Sequence, residues 1–273
     1  MNSPLLSIKN LKKSYDNKTY ALKGINIEFK TGEFVVIIGP SGAGKSTFIR
    51  CINRMIDFSE GEIVFDGVHM EKIKGRALRK QRSGIGMIFQ HYNLIGRVNV
   101  IKNVLYGRLG KMSSVKSFLG LYSEKDKHEA FTLLKKVGLE EQIYKRADAL
   151  SGGQMQRVGI CRAIVQQPKL LLADEPIASL DPKSADIVMD QIKGITTERN
   201  LTCIVNLHQV DYAKKYASRV VGIKDGLVIF DGMPSELTDE IIADIYKGKE
   251  DQMTLTPKEE RSTYNDKGVS SYA

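Results

Sequence analysis

The sequence predicts an α/β protein: a parallel-sheet core with an antiparallel β subdomain on its N-terminal side and a helical subdomain inserted into it. Three observations predict this. Phe34-Val-Val-Ile-Ile38 is a continuous apolar run, the pattern of a strand buried on both faces of a parallel sheet, and a glycine-rich turn from Gly39 to Ser46 follows it at once. Two more strand-like runs, Leu170-Leu-Leu-Ala173 and Leu201-Thr-Cys-Ile-Val-Asn206, come only after residue 165. Between residues 93 and 165 the apolar spacing turns helical (Phe131, Leu133, Leu134, Val137) and β-branched runs disappear.

The remaining elements follow in order. Leu6, Ile8 and Leu11, then Leu22, Ile25, Ile27 and Phe29, alternate with polar residues, and Asp16-Asn17 and Thr31-Gly32 punctuate them. Short antiparallel strands are expected there. Thr47 to Met55 should continue from the glycine turn as a helix, and Gly61-Glu-Ile-Val-Phe-Asp-Gly67 reads as an edge strand with its turn. Inside the insert, Lys111 to Lys127 is polar and rich in Ser and Lys, so a loop or short helix is expected. Val220 to Phe230 closes the sheet. One domain is expected over residues 1–248, with the core and β subdomain in 1–92 and 165–248 and the helical subdomain in 93–164. Residues 249–273 are polar and without periodicity, which predicts a disordered tail.

Bulk composition narrows the class. With 42% hydrophobic and 27% charged residues in 273, the chain can bury a sizeable core. No stretch approaches the ~20 apolar residues that span a bilayer. The N-terminus MNSPLLSIKN has no basic segment leading into an apolar one, so no signal peptide is expected. Cys51, Cys161 and Cys203 are far apart and lack CxxC spacing, which predicts buried free thiols and excludes a disulfide or zinc framework. The net charge of +9 is spread along the chain and forms no run, so a basic solvated surface is expected and no nucleic-acid track.

Three motifs carry chemistry. Gly39-Pro-Ser-Gly-Ala-Gly-Lys-Ser-Thr47 fits the P-loop pattern G-x-x-x-x-G-K-[ST]. Its glycines let the chain turn past Pro40, which has no N–H, so that the successive N–H groups of Ser41, Gly42, Ala43 and Gly44 curl around phosphate oxygens, and the following helix adds its positive end. Lys45 then supplies a charge to the β- and γ-phosphates, and the Ser46 hydroxyl a ligand for Mg²⁺. The second motif, Leu170-Leu-Leu-Ala-Asp-Glu175, ends an apolar strand in two carboxylates. Buried charge is costly unless used. Asp174 is placed to hold the Mg²⁺ water shell and Glu175 to act as general base on an attacking water. The third, Leu150-Ser-Gly-Gly-Gln154, is a second anion-binding turn, opening a helix expected near Met155. One nucleotide does not need two such turns from one chain. Two chains arranged head to tail can each offer Ser151, Gly152, Gly153 and Gln154 to the other's γ-phosphate.

With these motifs the sequence resembles the ABC ATPase family over residues 5 to about 248. The resemblance implies a RecA-like P-loop NTPase core, ATP and Mg²⁺ as cofactors, and further site residues. Tyr15 resembles the aromatic that stacks on adenine. Gln90, after Met87-Ile-Phe89, resembles the glutamine that contacts Mg²⁺ and the attacking water. Ser179-Leu-Asp181 resembles the D-loop that couples the two sites, and His208 the switch histidine that touches the γ-phosphate. His69, His91 and His128 show no ligand spacing and are expected at the surface.

A narrower resemblance is to the ATP-binding subunits of bacterial phosphonate importers. It rests on Val205-Asn-Leu-His-Gln-Val-Asp211, Ala173-Asp-Glu-Pro176, Ala178-Ser179, Phe230-Asp-Gly232, Gly107-Arg-Leu109 and Tyr144-Lys-Arg-Ala147. Many importer relatives have Thr where Asn206 stands. The resemblance implies a homodimer at the cytoplasmic face of the cell (inner) membrane, peripheral to it. Its implied partners are two integral permease subunits and, indirectly, a periplasmic or lipid-anchored solute-binding protein. Residues of about 91–112, beside Gln90, would transmit motion to the permease. Phosphate, phosphite or a polar amino acid is the alternative solute. A soluble ABC ATPase acting on DNA or ribosomes fits less well, because the span from Lys45 to Leu150 lacks sustained heptads and the chain carries one cassette. A small-molecule kinase would leave Leu150 to Gln154 idle.

Overall fold

The computed structural model describes residues 3–16 and 18–247. Asn17 of the expected first turn and the polar segment 249–273 lie outside the described residues.

A six-stranded sheet forms the core. Its order is β10-β9-β3-β8-β7-β6, with β3 Phe34–Ile38, β6 Ile85–Ile88, β7 Leu170–Asp174, β8 Thr202–Asn206, β9 Arg219–Lys224 and β10 Leu227–Gly232. All pairings are parallel except β9 with β10. Strand β3 is buried at every residue. Val35 and Ile37 pack into one apolar cluster and Val36 and Ile38 into the other. The side-chain period of two thus explains why an uninterrupted apolar run is needed where both faces are covered.

The second sheet is antiparallel and four-stranded, in the order β2-β1-β4-β5, from β1 Leu6–Ser14, β2 Tyr20–Phe29, β4 Glu60–Phe65 and β5 Val68–His69. Its apolar face (Ile8, Leu22, Ile27, Ile63) and helix α1, Lys45–Ile52, share the first cluster with β3. The second cluster joins the other face of the core sheet to α3 Val100–Leu105, α5 Glu124–Lys136, α6 Gly152–Val165 and α7 Pro182–Glu198. The described elements between β6 and β7 are helical, and they include the short α4, Ser114–Phe118, within the polar segment.

Several boundaries differ from the sequence reading. Helix α1 starts at Lys45 and not Thr47, because the dipole-bearing first turn grows directly from Gly44; it ends at Ile52, before Arg54 turns left-handed (φ 52°). Strand β4 is no edge: Asp66-Gly67, both at positive φ, turns the chain back so that β5 pairs outside it. Helix α6 starts at Gly152 and not near Met155, since Ser151 caps it. Val220 to Phe230 is a hairpin turning at Asp225-Gly226, so β9 lies inside and only β10 at the edge. Strand β6 went unread because Gly86 interrupts its apolar run. A Cβ there would meet Ala163 O at 2.8 Å, so close passage of α6 requires the glycine. Helices α2 (Gly75–Arg82), α8 (Val210–Tyr216) and α9 (Asp239–Tyr246) complete the fold.

The insert is pinned at the start of α5. Ser123 and Asp126 form a reciprocal capping box, and Arg108 Nε lies 2.6 Å from Asp126 Oδ1. Burial pushes the Asp126 carboxyl up, but the Ser123 hydroxyl and the Arg108 charge outweigh it and hold it below its usual value. An Asp with a lowered folded value stabilises fully above the unfolded value of ~3.9 and loses that contribution as pH falls through the folded one. Asp126→Ala should therefore cost about 1–3 kcal/mol at pH 7. Urea unfolding of both proteins from pH 7 to 3 should show the gap close as the solution is acidified.

Candidate functional site

The C-terminal end of β3 opens into the glycine turn. Gly39, Gly42 and Gly44 have φ of 148°, 80° and 102°, in the left-handed region that side chains avoid. A Cβ on Gly39 would lie 2.0 Å from Ile223 O, and one on Gly44 2.6 Å from Ala21 O. The turn therefore packs backbone against backbone. Ala43 is small enough to be buried beneath it, and its N–H bonds Pro40 O at 3.2 Å. Lys45, only 4% exposed, reaches back across the turn and donates from Nζ to Gly39 O (2.7 Å) and Pro40 O (3.0 Å). A cavity of about 220 Å³ lies over it, lined by Ser41, Gly42, Lys45, Ser46, Glu175 and His208 among others. At its rim Tyr15, 65% exposed, shares a 3.2 Å hydrogen bond with Thr47 Oγ1, and Lys13 Nζ stands over its ring, 4.8 Å from the centroid.

Strand β7 delivers the acids. Asp174 is 3% exposed, and its Oδ1 accepts from Ser46 Oγ (2.7 Å) and Asn206 Nδ2 (2.9 Å), while Arg50 Nη2 meets Oδ2 at 3.2 Å. Donors thus compensate the burial of its charge. Glu175 turns out of the strand at φ 51°, its N–H held by Asn206 O at 3.2 Å, and its Oε1 lies 2.7 Å from His208 Nε2. A non-glycine residue at positive φ is a strained conformation that surrounding contacts must hold, and such residues cluster at working sites. The structure therefore brings Tyr15, the 39–47 turn, Asp174, Glu175 and His208 to one place.

It does not bring the other motif residues there. Ser151 caps α6: its Oγ accepts from Gln154 N at 3.3 Å, and its own N–H donates to Gln154 Oε1 at 2.9 Å. Ser151 is exposed, and residues 151–154 do not line the cavity over the glycine turn. Gln90 and Ser179 line a different cleft of about 410 Å³ with Tyr92, Asp148 and Met155. Asp181 caps α7 through Ser184 N at 3.0 Å, and the Ser184 hydroxyl, with that N–H, holds its carboxyl below the usual value.

Arg50, Asn206 and Tyr246 were missed. Arg50 stands one helical turn beyond Ser46, a spacing that predicts a shared face. Asn206 is the polar end of an otherwise apolar buried strand. Tyr246, whose hydroxyl donates to His208 O at 3.1 Å, comes from α9, which no periodicity announced. The three cysteines are buried and free, and burial raises their thiols, Cys51 to about 12. His91 and His128 are exposed, whereas His69 is partly covered and lies 2.8 Å from Glu71 Oε1.

A glycine cradle between a buried parallel strand and a helix, with carboxylates at the end of a parallel strand two positions away, defines a P-loop nucleotide hydrolase. A family model described as ABC transporter matches residues 22–178. The chain is 54% identical over 242 residues to a phosphonates import ATP-binding protein of Oceanobacillus iheyensis, covering 89% of this chain and 95% of that one. It is 50% identical to its counterpart in Treponema denticola, covering 87% and 93%. Among solved structures, the dimeric post-hydrolysis state of an ATP-binding cassette bound to ADP and phosphate matches with a TM-score of 0.73 and 34% identity, covering 84% of this chain and 98% of that one. The ADP form of another transporter cassette matches at 0.78 and 28%, covering 91% and 100%. The chain belongs to the ABC transporter family and is one of its ATP-hydrolysing cassettes.

The glycine turn sets a test of its own. Gly39→Ala should drive a methyl into Ile223 O and lower stability by about 1–3 kcal/mol or more, read as a fall in thermal midpoint together with lost nucleotide binding.

Proposed function

We propose that this chain drives phosphonate uptake as the ATPase subunit of a bacterial importer, working as a head-to-tail dimer. The observation that carries the reading is the separation of two turns: the 39–47 turn holds its own cavity, while Ser151 to Gln154 lie outside it, with Ser151 exposed. A dimeric cassette bound to hydrolysis products among the structural relatives supports that arrangement. The phosphonate solute is supported by relatives about half identical in sequence that carry that function in their names. Residues 1–248 then act as one cassette, with 93–164 as its helical subdomain.

Roles follow from the geometry. Tyr15 offers adenine the ring face away from Lys13, and the 39–47 backbone with Lys45 cradles the phosphates. Mg²⁺ would be held by Ser46 and Asp174, with Gln90 approaching from the neighbouring cleft. Their oxygens suit a hard cation that keeps most of its ligands as water and phosphate. Among the described residues no group of three or more His, Cys, Asp or Glu could hold a metal without the nucleotide. When bound, the ion neutralises charge on the β- and γ-phosphates. Glu175, oriented by His208, accepts the proton of the attacking water, and His208 steadies the γ-phosphate. Ser151, Gly152, Gly153 and Gln154 close over the partner's nucleotide, with Ser179 and Asp181 beside them.

The partners lie outside the chain. Among the described residues no helix is long and apolar enough to cross a membrane. We assign the crossing to two permease subunits that dock beside Gln90 on residues of about 91–112, with a solute-binding protein delivering cargo from the far side. The cassette thus sits peripherally at the cytoplasmic face. A cavity of about 880 Å³ between α3, α4 and α5, rimmed by exposed Phe118, Leu119 and Tyr144, extends that face.

Glu175→Gln should retain ATP binding and slow hydrolysis by about 100- to 10,000-fold, trapping an ATP-bound dimer visible by light scattering; normal turnover would remove Glu175 as the base. Ser151→Arg and Lys45→Ala should each be inactive alone, yet a mixed dimer should recover turnover through its one complete site. In liposomes with co-expressed neighbours, a phosphonate should stimulate ATPase activity; stimulation by phosphate or an amino acid instead would replace the solute.

A further inference from the structure

Asn206 ends β8 with no exposure at all, after Thr-Cys-Ile-Val. A buried amide is costly unless its donors are used. Both are used here. Nδ2 donates to Asp174 Oδ1 at 2.9 Å and to Ser46 Oγ at 3.3 Å, and Ser46 Oγ itself donates to Asp174 Oδ1 at 2.7 Å. Ser46, Asp174 and Asn206 therefore close a triangle drawn from α1, β7 and β8. The orientation of the amide follows from chemistry: flipped, its oxygen would face the Asp174 carboxylate and forfeit both bonds.

The main chain reinforces the triangle. Asn206 is in register with Asp174 on one side and Ile37 on the other, and its carbonyl holds the Glu175 N–H. Arg50, the remaining donor to Asp174, has a half-exposed side chain and is the weaker grip. The Asn206 Oδ1, by contrast, is buried and has no partner in the structure. A fold keeps an unsatisfied buried acceptor where another requirement outweighs it. Here that requirement is the pair of donors facing Ser46 and Asp174.

We infer that Asn206 is a positioning residue that sets the spacing of Ser46 and Asp174, and so governs how tightly the nucleotide site takes its divalent cation. This rests on the proposed reading of the site as one for Mg²⁺ and ATP. Threonine at this position would keep one of the two donors. Leucine would keep the volume and remove both.

The test is a Mg²⁺ titration of fluorescent ATP-analogue binding to the full chain, run beside the same binding in EDTA. Asn206→Leu should raise the Mg²⁺ midpoint about tenfold or more, in the range that outer-shell partners of metal ligands carry. Its EDTA affinity should stay within about twofold of the parent, because the Lys45 cradle is untouched. Asn206→Thr should shift the midpoint in the same direction by a smaller factor, and it decides the matter alone if the leucine variant does not fold. An unchanged midpoint in the folded variants would overturn the inference. So would an equal loss of affinity with and without Mg²⁺, which would mark Asn206 as structural support for the whole turn. Failure of the parent chain to bind the analogue under either condition would instead overturn the reading of the site.

Discussion

A carboxylate taken out of water has to be surrounded by donors, and at Asp174 that requirement organises the rest of the molecule. Its three donors come from two elements far apart in the chain: Ser46 and Arg50 on α1, and Asn206 on β8. They can meet only if β3, β7 and β8 run parallel, in register, and end at the same level. The observed register does this, setting Ile37 beside Asn206 and Asn206 beside Asp174. Parallel pairing in turn demands crossovers that cover both faces of the sheet, and hence strands apolar at every position. Thus β3, β7 and β8 are buried throughout because the charges are carried at their tips.

The glycine turn meets the same constraint from the other side. Lys45 is buried, and its ammonium is satisfied by Gly39 O and Pro40 O. That wraps the backbone tightly enough that Gly39 and Gly44 press on Ile223 O and Ala21 O. The antiparallel subdomain is thereby tied to the cradle, since Ala21 lies in β2 and its neighbour Leu22 is core. Tyr15, just beyond β1, is carried to the rim by the same contact.

Much of this was legible beforehand because it depends on local chemistry. A P-loop, an acid pair at a strand end and a serine before two glycines at a helix start are each written in a few adjacent residues. The three main core strands were legible through their apolar runs. What escaped was non-local. Strand β6 hid behind Gly86, whose reason is a helix distant in sequence. Strand β5 is two residues long and exists only as the return of the Asp66-Gly67 turn. Asn206 looked like a family variation at the end of a strand, and its meaning appears only when Ser46 and Asp174 stand next to it. The start of α6 was misplaced by three residues because glycines are poor helix formers, yet the Ser151–Gln154 capping box outweighs their low propensity.

The same close packing ties the segment that follows β6 to the helical insert. Gln90 follows β6 directly, and the segment after it is fastened to α6. Gln156 Nε2 bonds Phe89 O at 3.4 Å, and Arg162 donates to Tyr92 O at 2.9 Å and to Asn93 O at 2.5 Å. Helix α6 also lies against Gly86 with no room for a Cβ. Its first turn is Ser151 to Gln154. The glutamine segment and the second anion turn are therefore two ends of one stiff unit, since packed interiors shift as bodies more readily than they deform. Residues 89–93 are thus tied to α6 by hydrogen bonds from both Gln156 and Arg162. In the proposed dimer this fastening links the segment beside one chain's own nucleotide to the turn that chain offers to its partner's.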